Sequence, residues 1–589
     1  MSTAGQPAYA EFAVQSNFSF LRAASRPEEL VITARLYKYK AMGLADRNTV
    51  AGVVRAWSKA KVEGLDFHPG CRLVFSDGGP DVLAYPRDRA GWGRLCRMLT
   101  VANERGEKGA PDLRQDDFFE WADGMSLAVL PDLSQPEDVL LAFLRRARQR
   151  FGDAVWLGHA PLYHGDDRWR LEQAAALSRV SQLPLMAVND VLYHDAERRS
   201  LLDVVTAIRL NRPIAEVGYE LSVHAERHMK PVAEMARLFR RHPQALAETI
   251  RFAQTLKFSL GELTHFYPDE TTKDPQAELE RLTWEGARKR YPSGLPEKVR
   301  QSIVTELELI AQLGYAPYFL TVHDIVRYAR EERGILCQGR GSAANSTVCF
   351  CLHITEVDPA IHQLLFERFM SVERHEPPDI DVDFEHERRD EVMAYIYEKY
   401  SGSHTALAAA VTSYRGRSAL REVAKAFGLS QDAQAALSGS IWGWSNDVGE
   451  EEARAGGLDT ADKVTAHIVR HANELLEFPR HLTQHVGGFI ITQDRLDEFV
   501  PIIRTAMEER RMVEWDKDDL DAVGLLKVDI LALGMLSCLR RCFDLLEQHY
   551  GHHWPRRLEL TGLHRDQQKA VYDMLCRADS IGVFQVESR

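Results

Sequence analysis

The sequence predicts a multidomain α/β protein, and three observations carry that reading. At 589 residues the chain is too long for one hydrophobic core and divides into roughly three or four domains. Its first third alternates short apolar strands with helical stretches, the order expected of a parallel sheet or a barrel. Further on, Pro378-Asp379-Ile380-Asp381-Val382-Asp383-Phe384 sets carboxylates strictly against apolar residues. That is strand periodicity: Asp379, Asp381 and Asp383 share one face while Ile380, Val382 and Phe384 enter a core.

Composition narrows the class. With 45% hydrophobic and 27% charged residues the chain reads as an ordinary globular protein. A net charge of -13 excludes a uniformly basic nucleic-acid binder and leaves local basic grooves for any such contact. The eight cysteines form no C-x-x-C pair, which argues against structural zinc and a disulfide framework. The N-terminus lacks a basic-then-apolar signal, and no run approaches the ~18 apolar residues of a membrane span. A cytoplasmic protein with no membrane contact is expected.

The strands expected in the first third are Glu11 to Val14, Cys71 to Phe75, Asp81 to Tyr85, Ser126 to Leu130, Val155 to His159 and Leu185 to Val188. Helical patterns cover Pro27 to Met42, Val53 to Val62, Gly93 to Arg105 and Pro136 to Phe151. After the last strand, Asp190 and His194 put an acid and an imidazole where a barrel can carry metal ligands; a helix cap and a surface histidine account for them equally. From about Gln244 to Arg333, Leu279, Leu282, Leu307 and Ile310 recur at helical spacing and read as core. The stretch Cys337 to Ser346, CQGRGSAANS, then gathers small residues that let backbone N–H groups approach a ligand, and a following helix N-terminus would favour phosphate. It lacks the ending of a Walker A loop, and a plain turn fits it too.

Like charges along the acidic strand repel one another. A pair of Mg²⁺ ions fits there, because hard cations prefer carboxylate oxygen and two of them clamp a phosphoryl transfer; a solvated edge strand is the alternative. A second alternating run, Val523 to Leu531, puts Lys527 and Asp529 on one face, a carboxylate to complete a metal pair and a lysine to neutralise triphosphate oxygens. Just before it, Trp515-Asp516-Lys517-Asp518-Asp519 packs charges into a turn that also reads as a solvated loop. Between the two runs, Arg417, Arg421 and Lys425 recur at i, i+4 and i+8, a basic helix face that suits either a phosphate backbone or solvent.

Six motifs in order, CQGRGSAANSTVCFCLHITEVDP, LLFERFMSVERHEPPDIDVDFEHERRDEV, TSYRGRSALREVAKAFG, HVGGFIIT, WDKDDLDAVGLLKVDILALGML and CRADSIGVFQVESR, resemble the C-family α subunit of bacterial DNA polymerase III. The error-prone, translesion branch is the closest match. The resemblance implies a PHP-like α/β barrel over 1–260, a nucleotidyltransferase (polymerase beta-like) α+β palm over 261–410 and 495–535, an inserted helical thumb over 411–494, and the start of fingers over 536–589. It makes Asp381, Asp383 and Asp529 the catalytic aspartates, holding two Mg²⁺ ions with Mn²⁺ as substitute, and gives Asp379 a non-catalytic position. Gly341 and Ser342 fall in the triphosphate loop, Arg340, Arg368, Lys517 and Lys527 near the incoming nucleotide, and Arg417, Arg421 and Lys425 on DNA. The implied partners are primer–template DNA and deoxynucleoside triphosphates, with a sliding clamp and other translesion proteins for a full-length chain.

Two departures from the family pattern matter. In YAEFAVQSNFSF, Phe12, Ala13, Val14 and Gln15 stand where histidines are usual, Arg47 follows Asp46 where a histidine is typical, and Cys71 replaces a glutamate. Asp46, Asp190 and His194 are then remnants too few to hold a catalytic metal, and a scaffold is expected. The chain also ends at Arg589 inside VFQVESR, where the family continues through its fingers; such a chain is expected to bind primer–template DNA weakly and salt-sensitively and to extend primers little. The function expected is error-prone, template-directed nucleotidyl transfer. A phosphoesterase run by the N-terminal domain and a catalytically silent DNA-binding remnant are the competing classes.

Overall fold

The structure is a computed structural model that describes residues 7–268, 270, 274–370, 378–440, 454, 462–507, 509–551 and 568–587. The chain divides into two compact units: Met1–Thr264 with Ala406–His485 and Arg495–Leu525, and His265–Thr405 with Val486–Asp494 and Leu526–Arg589.

In the first unit a seven-stranded sheet runs in chain order through β1 (Ala10–Glu11), β2 (Ala41–Arg47), β3 (Asp66–Leu73), β4 (Asp81–Pro86), β5 (Met125–Leu130), β6 (Val155–His159) and β7 (Leu185–Ala187). Beyond its edge strands, Gln15 N donates to Val191 O at 3.0 Å and Val191 N to Ala13 O at 2.7 Å, so the sheet curls until its ends meet. Phe12, Tyr85, Trp156, Met186 and Phe252 fill the interior. The sheet is mixed rather than parallel, because β3–β4 and β4–β5 pair antiparallel. The link from β3 to β4 is too short for a crossover helix, and Gly78 and Gly79 make the turn at φ 86° and 102°.

Other boundaries shift for local reasons. The helix expected over Pro27 to Met42 spans Pro27–Leu36; Lys38 takes φ 60°, and Ala41 already begins β2. Only Ala10–Glu11 is strand at the first position. The charged run at Asp516 is neither turn nor loop but the start of a helix, Lys517–Ala522, with Asp516 and Asp519 forming a reciprocal cap and Arg55 bridging to Asp516 at 2.6 Å.

The same unit contains helices Gly416–Ala426, Gln431–Ser440 and Lys463–Leu475. Their apolar faces, through Leu420, Val423, Ile468 and Leu475, bury against Leu201, Leu202 and Val205 of the helix Arg199–Leu210.

The second unit sets three helices, Pro275–Arg290, Glu297–Leu313 and Ala316–Arg327, beside a small sheet. Its strands include β8 (Cys337–Arg340), β9 (Asp381–Glu385) and β14 (Lys527–Leu533). The strands that fall between them in chain order, β10 (Thr405–Ser413), β12 (Ile502–Arg504) and β13 (Arg511–Val513), lie in the first unit but for Thr405, and β11 (Pro479–Ile491) enters the second unit only from Val486. β8 pairs antiparallel with β9, β9 parallel with β14, and β14 antiparallel with the end of β11 through Gly488, Phe489 and Ile490. The strand expected from Val523 begins only at Lys527.

Candidate active site

The register of β9 builds the site. Asp381 stands opposite Arg340 on β8 and opposite Asp529 on β14, so the two alternating runs meet with their carboxylates level. Asp379 precedes the strand on the same face, and Ile380 N donates to the Tyr318 hydroxyl at 2.8 Å, which fixes the approach. At the other end Glu385 is anchored by Arg540 at 3.0 Å.

One oxygen from each of Asp379, Asp381 and Asp529 lies within 4.8 Å of the others. Lys527 Nζ caps this group, donating to Asp529 Oδ2 at 2.5 Å and to Asp379 Oδ1 at 3.2 Å. Asp383 lies outside the three-oxygen group; its Oδ2 is 3.6 Å from Arg340 Nε, which is also 3.9 Å from Asp381 Oδ2. The strand alternation already contained Asp379 as a candidate ligand, although family position alone assigns it no role.

Electrostatics follow from this crowding. Burial raises the Asp381 carboxyl to about 7, and a hydrogen bond to Asp529 and the charges of Asp379 and Asp529 add to it, while Lys527 opposes. Burial also raises Asp383, with Arg340 pulling the other way. Burial alone would lower the Lys527 ammonium, but Asp529 and Asp379 more than offset it. Asp381 Oδ1 is buried without a hydrogen-bond partner. An orphaned carboxylate oxygen inside a cluster of hard oxygen donors is the chemistry that a divalent cation satisfies, so the residues present fit a metal ion.

The small-residue loop runs along this cluster. Gly341 adopts φ +68°, a region that favours glycine, and a Cβ there would stand 3.7 Å from Asp381 Oδ2; Ser342 Oγ donates to Asp379 O at 3.4 Å. The helix N-terminus expected to help bind phosphate is already taken. The helix Thr347–Cys351 is one short turn whose Thr347 and Val348 N–H groups donate to Glu306 at 2.9 and 3.0 Å, as does Ser346 Oγ at 2.8 Å. Glu306 is a buried carboxyl group from 41 residues upstream, a partner with no local signal in the sequence.

The remaining candidates scatter. Arg368 ends a short turn, Phe366–Arg368, exposed in the second unit. Lys517 begins its helix in the first unit, exposed. Arg417, Arg421 and Lys425 all lie on the exposed side of Gly416–Ala426; Arg421 is 3.7 Å from Glu422, and Lys425 Nζ donates to Asn211 at 2.5 Å.

At the barrel mouth the remnant acids have other partners. Asp190 is clamped between Arg72 at 2.6 Å and Arg227 at 2.5 Å; burial would raise it, but Arg227 and Arg72 hold it at about 2. Asp46 accepts from Ser16 Oγ at 2.8 Å and Ser19 Oγ at 2.7 Å, with burial raising it to about 6 against those bonds. His194 Nδ1 shares a hydrogen with Ser25 Oγ at 2.8 Å.

Three family models cover most of the chain: the PHP domain over residues 11–154, the bacterial DNA polymerase III alpha NTPase domain over 277–532, and the bacterial DNA polymerase III alpha subunit finger domain over 535–589. Over residues 277–532 and 535–589 the chain matches the bacterial DNA polymerase III alpha family. Relatives named "Error-prone DNA polymerase" match 99% of it, at 66% identity in Mesorhizobium japonicum, 55% in Sinorhizobium medicae and 51% in Brucella abortus. Those alignments cover 53%, 52% and 55% of the relatives, so the chain spans about half the length of the curated relatives it matches. The carboxylates Asp379, Asp381 and Asp529 fall within the residues matched by the alpha NTPase model, and strands β2 to β5 within those matched by the PHP model. Among the described residues no helix is long and apolar enough to cross a membrane.

Proposed function

We propose that the chain carries the metal-dependent nucleotidyl-transfer site of an error-prone, template-directed DNA polymerase, working on primer–template DNA and deoxynucleoside triphosphates. The observation that carries this reading is the convergence of Asp379, Asp381 and Asp529 within 4.8 Å, in a chain whose relatives are named for that activity. Asp381 and Asp529, with Asp383 or Asp379 as the third carboxylate, would hold Mg²⁺, two ions in the full reading, with Mn²⁺ as substitute. When bound, such a cation neutralises phosphate oxygens and lowers the pKa of a hydroxyl nucleophile.

The chain's own groups do the positioning. Lys527 offsets the repulsion between Asp379 and Asp529 and ties the two carboxylates together. Gly341 leaves room for a triphosphate oxygen beside Asp381, and Ser342 ties the loop to the Asp379 backbone. Arg340, already within 4 Å of Asp381 and Asp383, swings from carboxylate to phosphate as the nucleotide enters, with Arg368 and Lys517 as further cations. The exposed row Arg417, Arg421 and Lys425 tracks the DNA backbone. The phosphoesterase reading is weaker, since the Arg72 and Arg227 pair neutralises Asp190. A cytoplasmic location and clamp contacts belong to this proposal as well.

Mn²⁺ titration followed by electron paramagnetic resonance, alongside single-nucleotide addition to a primer, tests it. Ion binding is expected to be lost in Asp381→Asn and Asp529→Asn, and any addition rate to fall on the order of 100-fold or more. Nucleotide addition that survives both substitutions overturns the reading.

A further inference from the structure

Within the first unit, and built only from its residues, lies a cavity of about 450 Å³ lined by Phe20, Arg47, Lys108, Arg480, Leu482 and Arg504 among others. Its size is that of a small-ligand pocket, and its charge is unusual for a chain of net -13. Four cations face two acids, Glu107 and Glu514. Glu514 is engaged elsewhere, accepting from Thr49 Oγ1 and Val50 N at 2.8 Å each, and burial raises it to about 7. Among the described residues no ion pair engages Arg47, Lys108 or Arg504, whereas Arg480 has Glu422 at 3.7 Å.

Arg504 stands in register with Arg511, and Arg47 with Arg72; Arg511 is paired with Glu104 at 3.1 Å and Arg72 with Asp81 and Asp190 at 2.7 and 2.6 Å, which among the described residues leaves Arg47 and Arg504 as the cations of each pair without a carboxylate. Arg22 is pulled down to about 10, by burial first and then by Arg47 and Arg209. The apolar wall has its own peculiarity: Phe20 and Leu21 are consecutive non-glycine residues at φ 45° and 61°, a strained turn at the cavity that Phe20 and Arg47 both line.

We propose that this cavity binds a nucleotide, taking the base against Phe20 and Leu482 and the attached phosphate on Arg47 and Arg504. A base stacks on an aromatic ring while guanidinium groups hold its phosphate, and the pocket offers both at once. A free nucleotide and one residue of a single strand both supply this unit; the chemistry recognised is the same. The proposal does not rest on the carboxylate cluster, because it requires no metal.

The test uses 2-aminopurine deoxyribose 5′-monophosphate, whose fluorescence changes on stacking, with the full 589-residue chain and a chelator present. Saturable binding is expected, weakened by about tenfold or more in Arg47→Ala/Arg504→Ala, as loss of charge-assisted bonds implies. Arg47→Lys/Arg504→Lys should retain most of the affinity, and Phe20→Ala should reduce both the fluorescence change and the affinity. Arg504→Glu, an exposed single change checked for an unaltered thermal midpoint, guards against misfolding of the double variant. Asp381→Asn should bind as the parent does. Displacement by thymidine monophosphate or by a six-residue oligothymidylate supports the proposal, the tighter of the two naming the source. Parent-like binding by Arg504→Glu, or equal displacement by inorganic pyrophosphate, overturns it.

Discussion

At the scale of single residues, buried carboxylates are held by partners far away in sequence. Glu306 accepts three hydrogen bonds from Ser346, Thr347 and Val348, yet burial outweighs them and raises it to about 7. Its folded value thus lies above the usual unfolded one, so the native state binds more protons than the unfolded state between roughly pH 4.5 and 7. Stability from this group is present at low pH and is lost as pH rises through 7. Glu306→Gln removes that titration. The thermal midpoint of the parent should therefore fall relative to Glu306→Gln between pH 5 and pH 8, under chelator; a constant difference across that range would sink the claim. Nothing local in the sequence announces Glu306, which sits on an amphipathic helix as an ordinary charged position, and the same holds for the arginines that clamp Asp190 from 118 and 37 residues away. The acidic strand was legible because its two-residue period is local; which of its carboxylates gather was not, since that depends on where β14 lies.

At the scale of elements, the cluster depends on how closely β11 and β14 approach. Gly488 is in register with Asp529, and a Cβ on the preceding Gly487 would stand 2.1 Å from Ile530 O. That contact is with backbone and cannot be relieved by a rotamer. Gly487→Ala should cost about 1–3 kcal/mol or more as overpacking and should displace the strand that carries Asp529, weakening Mn²⁺ binding at the same time. Gly439→Ala, in the helix Gln431–Ser440 with nothing within 4 Å of its Cβ, is the control and should be neutral or slightly stabilising. Denaturant unfolding and the Mn²⁺ titration read both effects, and a stable Gly487→Ala chain with parent affinity would remove the close approach as a requirement. The motif HVGGFIIT thus has a steric reason for its first glycine. By contrast β2 escaped the sequence reading because AMGLADR lacks β-branched residues and polar alternation; it is strand because all but its last residue are buried between neighbours.

At the scale of the whole molecule, a net charge of -13 and the proposed affinity for DNA are compatible only if cations are concentrated on particular faces. The helix Gly416–Ala426 is one such face, and its three cations differ in what they can give. Lys425 donates to the neutral Asn211, whereas Arg421 lies 3.7 Å from the carboxylate of Glu422. Each phosphate contacted by a cation contributes about -0.9 to the slope of log affinity against log salt. Replacing Arg417, Arg421 and Lys425 together with alanine should therefore make the slope for primer–template binding shallower by about 2–3. Lys425→Ala alone should account for nearly one unit and Arg421→Ala for less. Anisotropy of a labelled primer–template across a salt series measures this directly. A triple variant that binds more weakly with an unchanged slope would mean that these side chains act through packing, and the phosphate track would have to lie elsewhere.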